Sequence, residues 1–403
     1  EGSTSILGQE LINALKVNSQ NAKWLYLSGT PYSILSQFKP SEVFTWNYTD
    51  EQEAKEKFEN QLNNPYANQP ELRIYLINLL KDLDLINQNY VGEDDDYFSF
   101  EEFFKCKKDS DEFEHESTIK SFLDLLVNQK KQEYPFSNEE YREYFKHTFW
   151  YLPNVASCNA LEKLLNEHII FKNFKILNVA GKNSNSLRAW NDVLEAIDKY
   201  KYTITLSCGR LTRGVTVGQW TAILYLCGGS NTSASQYMQT IFRVQSAYTD
   251  KITGKKKEIG YVFDFAPQRA LVIQDKIALF EKELKPYLSI EKITQKNLQF
   301  MPVIANENNQ FVAYDARRLV DEIRKNTIEI ICNSGFTSTK LLKKSVLSNL
   351  TQHQIDLLID INKKSGISSL KTYKQYLNDN GIQESSSQTK TINKQQESKE
   401  KNK

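Results

Sequence analysis

Arg210, Thr212, Arg213, Gly214 and Thr216 crowd into one short turn of the stretch TITLSCGRLTRGVTVGQWTAILYLCGG, between two apolar runs that read as strands. Hydroxyls, guanidinium groups and free backbone N–H groups on a turn fixed by two strands can grip phosphate. A well-capped loop with no ligand fits the same residues. Further along, Gln236, Gln239 and Arg243 recur at i, i+3 and i+7, which places them on one helical face, while Tyr237, Ile241 and Val244 mark the other. An Arg flanked by Gln at a sheet edge suits a polyphosphate. The alternative is a solvated face with an incidental Arg.

The elements around these residues alternate. TFWYLPNV, FKILNVAG, TITLSCG, WTAILYLCGG and EIGYVFDFAP read as strands, separated by helices such as SCNALEKLLNEH and SLRAWNDVLEAIDKY. Strands alternating with helices of about 10–15 residues give a parallel sheet with crossover helices, so this part is α/β. Ligands in such a sheet sit at the carboxyl ends of the strands, where both candidate groups fall.

Upstream, WLYLSGTPYSIL reads as a strand and TDEQEAKEKFENQLNNP as a helix capped by Thr49 or Asp50. ELRIYLINLLKDL fits either a strand with a following helix or one amphipathic helix. VGEDDDYFSFEEFFKCKKDSDEFEHE has little periodicity and reads as an irregular surface insertion. SNEEYREYFKHTFW begins with a capping box at Ser137. From Gln268 the apolar spacing is helical, and ESSSQTKTINKQQESKEKNK has the composition of a disordered tail.

The bulk numbers exclude several classes. The 403 residues carry 51 basic and 50 acidic side chains, so any pull towards nucleic acid comes from local patches. Five scattered Cys (Cys106, Cys158, Cys208, Cys227, Cys332) form no CxxC and pair with no His motif. That pattern argues against a zinc site or disulfide framework and suits a reducing cytoplasm. No apolar run approaches the ~20 residues of a membrane span.

In the order Ser28-Gly29-Thr30, Leu152-Pro153-Asn154, Thr212-Arg213-Gly214-Val215-Thr216 and Gln239…Arg243, the chain resembles superfamily 2 helicases. More narrowly, it is similar to the helicase or translocase subunits of restriction–modification systems. The resemblance covers Trp24 to Leu35 and Phe149 to Phe265. It implies a RecA-like helicase C-terminal domain over 144–267, a remnant of the first RecA-like domain over 1–48, and a mostly helical insertion over 49–143. A helical C-terminal region follows over 268–380, then the tail over 381–403.

The resemblance also implies roles. Arg243 would be an arginine finger with Gln239 beside it. Gly214, Thr216 and Arg243 would face ATP, and Ser28, Thr30, Arg210, Thr212 and Arg213 would touch DNA. Two departures qualify this. Ser246 stands where a second Arg is usual. No G-x-x-x-x-G-K-[ST] and no D-E-x-H occurs, and neither AGKNSN, TGKKKE nor DEFEH (Asp111 to His115) supplies one, so no metal ligands are assigned. ATP and Mg2+ are therefore implied by the family yet not bindable in full by this chain.

The start, EGSTS, lacks an initiator Met and is similar to the loop after the second helicase motif, so a fragment is expected. Three readings stay open: the C-terminal part of a DNA-dependent ATPase, a non-catalytic DNA-binding chain completing a split motor, and an inactive remnant. Expected partners are DNA, a chain or segment carrying the missing motifs, and restriction or modification subunits. A first domain reduced to one strand should expose Leu25 and Leu27.

Overall fold

The computed structural model describes residues 10, 12–15, 23–30, 38–83, 98–131, 133–181, 186–228, 232–307 and 310–321. Contacts divide the chain into two units, Glu1–Leu319 and Val320–Lys403. All elements below belong to the first. The expected tail, residues 322–326 at the end of the helical stretch DARRLVDEIRKN, and Cys332 lie outside the described residues.

One sheet organises the first unit. Its strands are β1 (Glu71–Leu76), β2 (His147–Tyr151), β3 (Lys175–Asn178), β4 (Thr203–Ser207), β5 (Ala222–Tyr225), β6 (Ile259–Asp264), β7 (Val303–Glu307) and β8 (Gln310–Ala313). They lie in the order β3-β4-β2-β5-β6-β1-β7-β8, every pair parallel except β7 with β8. The expected α/β sheet with crossover helices is present. The strands β4 and β5 are buried along their whole length, as a parallel sheet covered on both faces requires.

Its limits differ from the expected boundaries. ELRIYL forms β1 and pairs with β6, so the segment taken as a helical linker contributes a strand to the same sheet. The region from Gln268 is helical through α9 (Pro267–Leu284) and α10 (Ile290–Phe300), but then adds the β7–β8 hairpin. The β-rich run VIANE was hidden by the helical spacing before it.

Side chains of the strands alternate between two buried faces. On one, Trp150, Leu206, Leu224 and Phe263 meet Phe100, Phe103, Phe104, Phe113 and Phe122 in a single cluster. Of these, Phe100, Phe103, Phe104 and Phe113 belong to the stretch read as a surface insertion, and Phe122 to the helix that follows it. Described from residue 98, the stretch instead folds into the short helix α3 (Phe100–Phe103) and turns that lead into α4 (Glu116–Leu126), with Phe100, Phe103 and Phe104 fully buried. Its acidic residues face outward as salt bridges, Lys107–Glu112 at 2.9 Å and Lys105–Glu114 at 3.6 Å. Aromatic residues without regular spacing thus form a core through tight turns.

Two caps are shifted. Helix α1 (Tyr48–Lys57) is capped by Asn47 in a box with Asp50, ahead of the expected Thr49 or Asp50. Helix α5 (Glu139–Tyr144) is capped by Asn138, whose side chain accepts from the Tyr141 N–H; Ser137 is buried instead. In both, a nearby Asn takes the cap, two residues before Thr49 in α1 and one residue after Ser137 in α5. Between them, α2 (Leu79–Asp82) follows β1.

His147 opens β2 opposite Thr203, with Nδ1 3.0 Å from Thr203 Oγ1. Burial, helped by Lys146, holds its pKa down at about 4 against an ordinary 6.5. Between these values the unfolded chain binds a proton that the folded chain refuses. The stabilisation is complete above pH about 6.5 and is lost as pH falls towards 4, by at most roughly 3 kcal/mol. Urea unfolding of His147→Asn should show a flatter pH dependence in that window; an unchanged dependence would contradict the assignment.

Candidate nucleotide and nucleic-acid interface

From β2 the chain runs through α6 (Val155–Glu167) to β3, and from β3 through α7 (Ser186–Lys199) to β4. From β4 it crosses β2 to reach β5, and from β5 it continues through α8 (Ala234–Ile241) to β6. The neighbours β2 and β5 therefore send their following helices in opposite directions. Between their carboxyl ends lies the topological switch point, where open α/β sheets bind ligands. Asn154 caps α6 and Ser233 caps α8 on this edge.

The turn after β4 is held from several sides. The Ser207 hydroxyl donates to Arg210 O at 2.5 Å, and the Thr212 hydroxyl to Gly209 O at 2.6 Å. Gly209 and Gly214 have φ of +145° and +66°, and Leu211, buried and not glycine, sits at +63°. A buried Leu in the left-handed region is a sparsely populated conformation of the kind that clusters at functional sites. Arg210 Nη1 donates to Val179 O at 2.7 Å, and Trp190 of α7 donates to Thr216 O at 3.0 Å. The turn thus splits by role. Thr212 is buried with its proton spent inside the turn and Arg210 is half-buried against β3, whereas Arg213, Gly214 and Thr216 are exposed.

Helix α8 delivers the second group. Tyr237, Ile241 and Val244 are fully buried, as their spacing requires. Gln236 Nε2 donates to Tyr151 Oη at 2.8 Å, fastening α8 to the end of β2. Arg243 lies just past the α-helix, in the 3-10 turn Phe242–Gln245. Its Nε donates to Gln239 O at 3.2 Å, and its Nη1 donates to Val215 O. The candidate Arg of one motif is therefore anchored on the backbone of the other. Burial alone pushes its guanidinium below the ordinary value. Gly260 of β6 permits this approach, since a Cβ there would lie 2.5 Å from Val244 O.

Thr30 joins them from the far end of the sequence. Its hydroxyl is 2.6 Å from Ser235 Oγ and accepts from Gln239 Nε2 at 2.5 Å. Thr30 is buried, although Ser28, whose hydroxyl accepts from the Thr30 N–H at 3.2 Å, is exposed. Gln239 Oε1 is buried without a hydrogen-bond partner. The described residues 23–28 form no strand, contrary to expectation, and Leu25 and Leu27 are 82% and 85% exposed. An apolar segment with no neighbouring strand has nothing to pair with.

Sequence reasoning missed Ser235, Tyr151 and Trp190. Ser235 was legible as the residue one turn before Gln239 on the same face; Tyr151 and Trp190 carry no local signal. It also missed the buried pair Asp264–Arg269, whose Arg reaches the carbonyls that end β5. A cleft of about 540 Å³ opens nearby, between the 105–111 turn and Asn154 and Ala156. Lys105 and Lys107 on its wall are paired with Glu102, Glu114 and Glu112, which weakens any pull on an anion. DEFEH does not converge either: Asp111 accepts from Asn159 at 3.1 Å and Glu112 pairs with Lys107.

No protein-family model matches the chain. A Mycoplasma pneumoniae protein described as "Putative type II restriction enzyme and methyltransferase RM.MpnORF110P C-terminus" is 28% identical over 393 residues, 83% of this chain and 53% of that protein. The chain therefore spans about half the length of this curated relative. Among solved structures, the DEAD-box helicase domain 2 of Mss116p bound to an RNA duplex is similar at 15% identity and TM-score 0.27, over 68% of this chain and 79% of that one. The ATP-dependent Type ISP restriction–modification enzyme LlaBIII bound to DNA is similar at 10% identity and TM-score 0.31, over 72% and 20%. No helix among the described residues is long and apolar enough to cross a membrane.

Proposed function

We propose that this chain is the C-terminal portion of a DNA-dependent ATPase or translocase of a restriction-type system. The observation that carries the reading is the junction of three separated motifs: Thr30 on Gln239, and Arg243 on Val215. In this reading Arg213 and the exposed part of the turn contact the DNA backbone, Thr30 and Gln239 relay between DNA and nucleotide, and Arg243 meets the nucleotide phosphates.

ATP would be held on this side by Gly214, Thr216 and Arg243. The unpartnered, buried Oε1 of Gln239 can only accept, so it calls for a donor such as a water or a sugar hydroxyl and not for a phosphate oxygen. Among the described residues no group of three His, Cys, Asp or Glu could hold a metal, so Mg2+ ligands and the phosphate cradle would come from another segment or chain. Bound there, ATP supplies the phosphoryl group whose transfer to water the motor uses. The residues of this chain orient it and neutralise its charge.

The second reading, a non-catalytic partner that completes a split motor, is favoured by the exposed Leu25 and Leu27. It predicts DNA binding without turnover.

Both readings require duplex DNA binding that depends on Arg213. In a salt titration, Arg213→Ala should make the slope of log K against log salt shallower by about 0.9, the share of one phosphate contact. Absence of DNA binding by the unmodified chain would sink both readings.

A further inference from the structure

The parallel strands share a second edge, at their amino ends, opposite the interface just described. Lysines stand at the entrance to several strands: Lys175 is the first residue of β3, Lys201 precedes β4, Lys146 precedes β2 and Lys256 precedes β6. Since β3, β4 and β2 are adjacent, neighbouring entrances lie only about 4.8 Å apart. Helix α7 also ends here. Lys175 and Lys199 both face the ring of Tyr200, at 5.8 and 5.7 Å, and Tyr200 is itself 40% exposed.

The basic stretch DKITGKKKEIG adds to this edge. It closes through a bridge between Thr249 and Lys256 and turns at Gly254, with φ +68°. Its foot adjoins the ends of α7 and β2, where Asp198 acts on Tyr248 and Lys146 acts on Asp250. Lys257 turns inward and donates to Gly218 O and Trp220 O at 2.6 and 3.0 Å, while Lys255 and Lys256 remain exposed.

The carboxylates on this edge leave much of the charge standing. Glu143 pairs with Lys146 at 3.3 Å and with Lys201. Asp250 accepts from the N–H groups of Ile252 and Thr253 in its own hairpin; Asp198, Glu258 and Glu71, which opens β1 and pairs with Arg73 at 3.6 Å, are other acids here. Among the described residues, Lys175, Lys199 and Lys256 form no ion pair, and all three are exposed.

We propose that this amino edge is a second nucleic-acid face, which holds the phosphodiester backbone of duplex DNA through Lys175, Lys199 and Lys256. The proposal rests on the reading that the chain binds DNA. Lysines act as flexible point charges, and a row of them along a sheet edge matches a regular line of phosphates. Such contacts position DNA and carry no base recognition.

The test is a salt titration of duplex binding, followed by fluorescence anisotropy, on the full chain. The triple variant Lys175→Gln, Lys199→Gln and Lys256→Gln should give a slope shallower by about 2.7, and the corresponding triple Arg variant should keep the original slope. The loss should be the same on unrelated DNA sequences. An unchanged slope in the Gln variant, with Arg213→Ala still affected, would overturn this proposal and leave the carboxyl-edge reading intact. A slope lost in the Gln variant but not in Arg213→Ala would support the amino edge and count against the carboxyl-edge contact. No DNA binding by the unmodified chain would overturn both.

Discussion

Replacing Arg269 by methionine is expected to lower the free energy of unfolding by about 3–5 kcal/mol, the cost of stranding a buried carboxylate. The Arg269 and Asp264 side chains are 1% and 0% exposed, with Arg269 Nη2 on Asp264 Oδ1 at 2.5 Å. The same guanidinium donates to Tyr225 O at 3.2 Å, to Gly228 O at 3.0 Å and to Cys227 O, and it lies 4.5 Å from the Tyr225 ring centroid. Arg269 thus satisfies the carbonyls that end β5 while neutralising the last residue of β6. Methionine fills much of the volume but supplies none of the donors, so the penalty is electrostatic and not a packing void. Adding Asp264→Asn should return part of the loss by removing the stranded charge. Urea unfolding of the two variants measures both effects. A loss below about 1 kcal/mol in the single variant would contradict the assigned role.

The second large effect is on turnover. Under the proposed function, with a P-loop and metal-binding segment supplied, Arg243→Ala is expected to slow DNA-stimulated ATP hydrolysis by about 10³–10⁵-fold, the range associated with an arginine finger. The physical reason lies in how Arg243 is held. Burial disfavours its charge, and its hydrogen bonds go to two backbone carbonyls. A guanidinium already stripped of much of its water, and fixed by its Nε and Nη1, meets an anion with little reorganisation. Arg243→Lys should recover little, because a single ammonium cannot both keep the Val215 and Gln239 carbonyls and reach phosphate.

What the sequence made legible followed from regular spacing. Strands β2 to β6 and the helices between them were readable because their apolar runs are short, alternate with helical periods and end in turn residues. The buried side of α8 was readable for the same reason. The pairing of Thr30 with Ser235 and Gln239 was not, since more than 200 positions separate them and only folding brings them together. β7 and β8 escaped because they follow two helices and form a short hairpin at the sheet edge. The Phe-rich stretch escaped because its burial comes from tight turns and not from periodicity. Nor did spacing show that Arg210 and Thr212 are held by backbone carbonyls while Arg213 and Thr216 face solvent; hydroxyls and guanidinium groups in a turn look alike until their partners are known.

The decisive measurement for the proposed function is DNA-stimulated ATP turnover by this chain combined with a candidate polypeptide carrying a P-loop and D-E-x-H, comparing Arg243 with Arg243→Ala at matched DNA occupancy. Turnover that appears only in the mixture and falls by about 10³-fold or more in the variant is the predicted result. Turnover in the mixture that is indifferent to Arg243 would contradict the proposed role of Arg243 at the nucleotide.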